Sequence, residues 1–286
     1  MKLASYLSGI GTQAVPGYGV VTAKGVVDLT RRLGSKYPDL RALIGAEAIG
    51  EASAVVRGVE PDYQLQDLHL LPVIPNPDKI ICVGLNYEEH RVETGRDKTE
   101  NPALFIRVAS SQVGANQPML RPQESTHFDY EAEIAIIIGK AGRRISAENA
   151  WNHIAGYSCY NDGSVRDWQK HTAQWTAGKN FTATGAFGPW MVTADEIAPN
   201  TVMTLSARLN GQEVQRATTE QMIFKIPALI RYISTFTQLL PGDVIVSGTP
   251  GGVGARRTPP LWMVPGDTVE IEIDTVGILR NTITEG

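Results

Sequence analysis

The chain has 286 residues, 42% of them hydrophobic and 20% charged, so it is long enough to bury a sizeable core and ordinary in composition for a globular protein. Its formal net charge of -4 and the absence of a Lys/Arg run argue against nucleic acid, and no window approaches the ~18 consecutive apolar residues of a membrane span. Two cysteines, Cys82 and Cys159, make neither a disulfide framework nor a zinc spacing. Together with an N-terminus broken by Gly and Pro, they point to a reducing, cytoplasmic compartment.

Residues 1–72 read as a small separate α/β unit. Two short strands flank the Ala23-Lys24-Gly25 turn, and helices are expected over 28–34 and 39–56. Three prolines between Leu71 and Asp78 make a stiff connector. The remainder, 73–286, is mostly strands, expected at 80–84, 103–107, 130–138, 154–161, 190–193, 203–209, 244–247 and 269–276. Helices are expected over 146–155, opened by Ser146, and over 227–240, where Ile230, Ile233, Phe236 and Leu240 share a face. Pro241-Gly242-Asp243 and Pro265-Gly266-Asp267 are turns ahead of strands. Many strands with few helices give an α+β, mainly-β class, a barrel or sandwich. The basic doublets Arg31-Arg32, Arg143-Arg144 and Arg256-Arg257 read as solvated surface or local ion pairs.

The segment from Asp129 to Gly139 carries the chemistry. Side chains alternate along a strand, so Glu131 and Glu133 face one way. Beyond them both faces are apolar, with Ala135 and Ile137 on the glutamate side and Ile134, Ile136 and Ile138 opposite, which marks a strand covered on both sides. Two carboxylates buried together are unfavourable unless a cation compensates them. Glu270 and Glu272 repeat the spacing, but there acidic and apolar positions alternate cleanly, as on a solvated strand face. Asp162, at a strand end, is either a turn residue or a third acid. Three oxygen donors without Cys or His suit Mg²⁺ or Mn²⁺, with Ca²⁺ as an alternative, rather than zinc.

His90 and Glu93 lie three apart behind Asn86, a candidate N-cap, and form either a water-activating dyad or an exposed helical pair. Arg166 and Gln169 have the same spacing and are placed to enter one pocket. Lys179 is either a surface residue or a group facing developing negative charge. The loop Ser247-Gly-Thr249-Pro-Gly-Gly-Val-Gly254 is neither a P-loop nor a dinucleotide fingerprint; it is a tight turn or, with the Thr249 hydroxyl, a cradle for a carboxylate or a polarised carbonyl. His171, Trp175 and Trp190 either shape the pocket or belong to the core.

From about residue 77 onward these motifs, taken in order, resemble the fumarylacetoacetate hydrolase family: Gly84-Leu-Asn-Tyr-x-x-His90-x-x-Glu93, Asp129-x-Glu131-x-Glu133, Asn161-Asp162-x-Ser-x-Arg166-Asp-x-Gln169, Gly178-Lys179-x-Phe181 and Gly248-Thr-Pro-x-Gly-Val-Gly254. The resemblance is to its acylpyruvase and 2-hydroxyhepta-2,4-diene-1,7-dioate isomerase-like branch. It implies a mixed β-sandwich roll, usually dimeric, around a divalent ion. It also implies Glu131, Glu133 and Asp162 as ligands, and His90, Glu93 and Lys179 as catalytic groups. Tyr87, Arg166, Gln169 and Thr249 would contact a small 2-oxo acid substrate.

The leading expectation is hydrolytic cleavage of a carbon–carbon bond in an acylpyruvate-like β-diketo acid. His90, oriented by Glu93, would activate water, and the departing carbanion would be an enolate. Isomerisation or tautomerisation, decarboxylation and hydration of a 2-oxo dicarboxylate use the same kind of intermediate and stay open. A non-catalytic binding protein of the same fold, or a calcium-stabilised sugar-binding domain, would leave His90, Glu93 and Lys179 without a role.

Overall fold

A computed structural model describes residues 1–9 and 11–286. The class is α+β and mainly β, built on two large sheets. The larger has eleven strands, and its central path runs Gly25–Asp28, Val15–Thr22, Lys2–Ser8, Gly185–Thr193, Ile154–Asn161, Ala132–Ile138, Val244–Val246, Ile80–Gly84, Ala103–Arg107. Most pairs are antiparallel, and Val244–Val246 runs parallel to Ile80–Gly84. A five-stranded sheet of Gln212–Thr218, Thr204–Leu209, Thr268–Ile273, Gly277–Glu285 and Met119–Arg121 packs against it.

The strand Ala132–Ile138 is buried at every position, as its two apolar faces require. Ile134, Ile136 and Ile138 enter a core shared with Leu205, Ala207, Ile271 and Ile273 of the second sheet and with Leu229, Ile230 and Ile233 of the helix Ile226–Phe236. Ala135 and Ile137 enter a second core with Leu3, Tyr18, Leu40 and Leu43. The N-terminal 72 residues therefore share both a sheet and a core with the remainder of the chain: Lys2 and Leu3 pair with Val192 and Met191.

Several local expectations change. Residues 146–155 form no α-helix. Ala150–His153 is one 3₁₀ turn, and Ile154, which a helix would have used, pairs with Ile138 in the sheet ladder. The expected helix over 39–56 is two, Leu40–Gly45 and Ile49–Val55, separated where Glu47 takes a left-handed φ of 55°. Asp39 caps the first, accepting from Ala42 N–H at 2.7 Å. The strands Lys2–Ser8, Gln212–Thr218 and Gly277–Glu285 were not anticipated. Glu270 and Glu272 lie on a strand face where Arg208 pairs with both, at 3.0 and 2.6 Å, so this second Glu-x-Glu stays outside the acid cluster.

Ile136 lies at the centre of this layering and is fully buried. Ile136→Ala should lower unfolding free energy by about 2–5 kcal/mol, through lost apolar burial plus the cavity left behind. A urea titration followed by circular dichroism measures it, and a loss below about 1 kcal/mol would contradict the described packing.

Candidate active site

The site is set by strand register. Ala132 pairs with Asn161 and Glu133 with Tyr160, and one residue further Asp162 N–H donates to Glu131 O at 3.0 Å. Residues directly opposite in an antiparallel pair project to one face, so Asp162 joins Glu131 and Glu133 on the same side. One carboxylate oxygen from each lies within 4.8 Å of the others, and all three residues are buried.

Cations meet these acids unevenly. Lys179 Nζ donates to Glu131 at 2.7 Å and to Asp162 at 2.6 Å. Arg107, at the end of Ala103–Arg107 and fully buried, donates to Asp162 Oδ1, to Gly163 O at 3.0 Å and to Thr184 Oγ1 at 3.0 Å. Arg166 Nε donates to Asp129 at 2.8 Å, Nη1 donates to Gln169 at 3.0 Å, and Nη2 stands 2.7 Å from Glu131, off the hydrogen-bond direction. Burial alone would raise the Glu131 carboxyl, but Arg166 and Lys179 outweigh it and hold it below the usual carboxylate range. Burial also works against the charge on Lys179, and Asp162 and Glu131 more than offset it, so its pKa is raised.

Glu133 is the exception. Its Oε2 accepts from Gly248 N–H at 2.5 Å, and among the described residues no cation lies in salt-bridge contact with it. Burial first, then the charges of Asp162 and Glu131, push its carboxyl well above the ordinary value. A buried carboxylate without a cation, facing two more at ligand spacing, fits a hard divalent ion held by oxygen.

The flanking groups are tied to this floor by one loop. His90 and Glu93 sit on the helix Glu88–Thr94, with His90 Nδ1 2.7 Å from Glu93 Oε1. Glu93 Oε2 accepts from Gly252 N–H at 3.0 Å. Asp129, which had no assigned role, accepts from Arg166 and from the backbone N–H groups of Gly254 and Ala255 at 2.8 and 3.0 Å. A Cβ at Gly254 would lie 1.8 Å from Leu261 O and 2.7 Å from Asp129 Oδ1, so the loop can approach Asp129 only as glycine. At Gly248 φ is +100°, and a Cβ would meet Asn86 Cβ at 2.6 Å. Asn86 does not cap the helix; Tyr87 precedes it without a capping bond. The Asn86 amide instead joins Phe224 and Ser247, donating to their carbonyls at 3.1 and 2.7 Å and accepting from Phe224 N–H at 2.7 Å.

A cavity of about 340 Å³ opens over these groups, and its lining includes His90, Glu131, Glu133, Arg166, Lys179 and Thr249. Gln169 and Trp175 also line it, whereas His171 stacks on Trp168 and Trp190 lies away, donating to Val276 O at 2.8 Å. Glu93 and Asp162 stand behind the lining, in contact with His90 and Lys179, and Tyr87 is set back further: its ring packs in the main core and its hydroxyl has no partner among the described residues. Thr249 Oγ1 accepts from Gln215 Nε2 at 2.9 Å. Arg107, Asp129 and Gln215 carried no recognisable role in the sequence. For Asp129 the repeat of acids at 129, 131 and 133 was the available signal.

A model of the family "Fumarylacetoacetate (FAA) hydrolase C-terminal" matches residues 79–284. The chain belongs to the fumarylacetoacetate hydrolase family and is an enzyme. It is 40% identical over 242 residues, 84% of this chain and 76% of the relative, to a mitochondrial oxaloacetate tautomerase of Xenopus laevis. Among solved structures it resembles maleylpyruvate hydrolase from Sphingobium sp. SYK-6 in complex with manganese(II) ion and pyruvate, at a TM-score of 0.82 and 29% identity over 100% of both chains. It also resembles 2-hydroxyhepta-2,4-diene-1,7-dioate isomerase from Mycobacterium marinum, at a TM-score of 0.75 and 29% identity over 100% of this chain and 98% of that one.

Glu133→Gln separates a ligand from a structural acid. Without metal the variant should unfold at a temperature at least as high as the wild type, because a like-charge contact is gone. Its Mn²⁺ affinity by isothermal titration should fall by at least about tenfold. Unchanged affinity would remove Glu133 from the ligand set.

Proposed function

We propose that the enzyme interconverts the keto and enol forms of a small 2-oxo dicarboxylic acid, with oxaloacetate as the first compound to test. Two things support this over the expected carbon–carbon hydrolysis. Relatives 36–40% identical to the chain are oxaloacetate tautomerases. The observation that carries the chemistry is a histidine backed by a glutamate and a buried lysine, the histidine and lysine lining one cavity with Glu131 and Glu133, which is what moving a proton between carbon and oxygen requires. A bound Mg²⁺ or Mn²⁺, held by Glu131, Glu133 and Asp162, would supply a fixed double charge that polarises a carbonyl and anchors a 2-oxo carboxylate.

His90 acts as the base. Glu93 accepts its Nδ1–H, which fixes the ring orientation and leaves Nε2 free to take a proton from the carbon next to the ketone. The ketone oxygen gains negative charge as that proton leaves, and the Lys179 ammonium stabilises that charge; the oxygen takes a proton from water while His90 returns its own to solvent, giving the enol, and the reverse transfers give the ketone. Arg166, fixed by Asp129 and Gln169, and Thr249 orient the carboxylate end of the substrate.

Hydrolysis is the second reading, favoured by the likeness to maleylpyruvate hydrolase. In it the same His90–Glu93 pair takes its proton from water. As the family resemblance implies, the assembly would be a dimer. No described helix is long and apolar enough to cross a membrane. The buried free thiols of Cys82 and Cys159 fit a reducing compartment.

With Mn²⁺, the wild type should accelerate oxaloacetate enol–keto conversion, followed by ultraviolet absorbance. His90→Ala should lower kcat by about 10²–10⁴ while retaining Mn²⁺ affinity. Pyruvate release from acylpyruvates without any acceleration of enol–keto conversion would replace tautomerisation by the second reading.

A further inference from the structure

The charges around the cavity are unevenly matched. At its floor the four carboxylates of Asp129, Glu131, Glu133 and Asp162 meet three cations, Arg107, Arg166 and Lys179. A divalent ion turns that single negative excess into a single positive one, which one carboxylate of a substrate cancels. A second carboxylate would then lie in the cavity without a partner, at a desolvation cost, unless cations elsewhere in the lining receive it.

Such cations are present. Arg96, Lys170 and Arg256, all solvent-exposed, also line the cavity, and among the described residues none has a carboxylate within salt-bridge distance. Arg96 and Arg256 come from different segments, one just past the His90 helix and the other in the 3₁₀ turn Gly254–Arg256 after the glycine-rich loop. Arg256 Nη2 donates to Thr94 O at 3.4 Å, two residues before Arg96 in the chain, and the Arg96 carbonyl accepts from Arg91 Nη1 at 2.6 Å. Arg257, the other half of the doublet, faces away and ties loops together through Tyr130 Oη, Gly252 O and Val214 O. The sequence read Arg256 as solvated surface or part of a local ion pair; it is exposed in the fold and also lines the cavity.

We infer that Arg96 and Arg256 form a second carboxylate subsite in the cavity of this enzyme, selecting substrates that carry a carboxylate at each end. Guanidinium groups suit this because their planar N–H fork matches a carboxylate. The inference deepens the proposed function and rests on its placement of the first carboxylate near Arg166 and Thr249.

The test is isothermal titration of the Mn²⁺-loaded protein with 2-oxoglutarate, which has two carboxylates, and with 2-oxobutanoate, which has one. The wild type should prefer 2-oxoglutarate. Arg96→Met and Arg256→Met should each weaken 2-oxoglutarate by about tenfold and change 2-oxobutanoate by less than about twofold, whereas Arg256→Lys should keep part of the preference. For oxaloacetate turnover the Met variants should raise KM and retain kcat. Equal loss of both ligands, no loss of either, or a wild type without preference would overturn the subsite. The titrations read binding alone, so a dicarboxylate preference in a protein that leaves oxaloacetate unconverted would sink the proposed reaction and leave the subsite standing.

Discussion

One register decides where the charge goes. Pairing Ala132 with Asn161 sets Asp162 opposite Glu131, two residues along from Glu133, and puts three carboxylates on one buried patch of sheet. The strand cannot slide to relieve them, because a one-residue slip would turn Ile134, Ile136 and Ile138 out of the core they share with the second sheet. Packing energy spread over many apolar residues thus holds together a set of like charges that would otherwise separate. A site that a doubly charged ion can complete is the outcome.

The rest of the site is anchored to that patch. Asp129, on the same run of chain, holds both Arg166 and the turn at Gly254–Ala255, and the next turn of that loop, at Gly252, holds Glu93 behind His90. Floor, glycine-rich loop and His90 helix are therefore one hydrogen-bonded assembly. This gives a physical reason why hydrolases and isomerases share the fold. Their common need is a cavity that stabilises negative charge beside a carbonyl while a positioned base moves a proton, and the identity of the proton donor, carbon or water, is settled by what else occupies the cavity.

The tuning of that cavity lies in residues with little sequence signature. Arg107 closes a strand that otherwise reads as plain apolar sheet, yet its guanidinium spans Asp162, Gly163 and Thr184 in the interior. Gln215 belongs to an unanticipated strand and reaches Thr249 and Pro250 O. Tyr87, inside a motif that read as substrate-binding, has its ring in the core instead. Local spacing says which face a residue shares with its neighbours, not what stands across from that face.

What the amino-acid sequence determined by itself was periodic and short in range. The alternation at Glu131 and Glu133, the two apolar faces beyond them, and the three-residue spacing of His90 and Glu93 follow from backbone geometry within one element, and the structure keeps all of them. Tertiary structure alone decided which segments meet. Residues 146–155 gave up a helix because Ile154 pairs with Ile138, Lys2–Ser8 became a strand because Val15–Thr22 and the edge of Gly185–Thr193 pair with it, and Arg256, still exposed, came to line the cavity because its loop folds against the His90 helix. Hydrogen-bond pairing and burial between residues far apart in the chain outweigh local propensity, and no short window of sequence contains both partners.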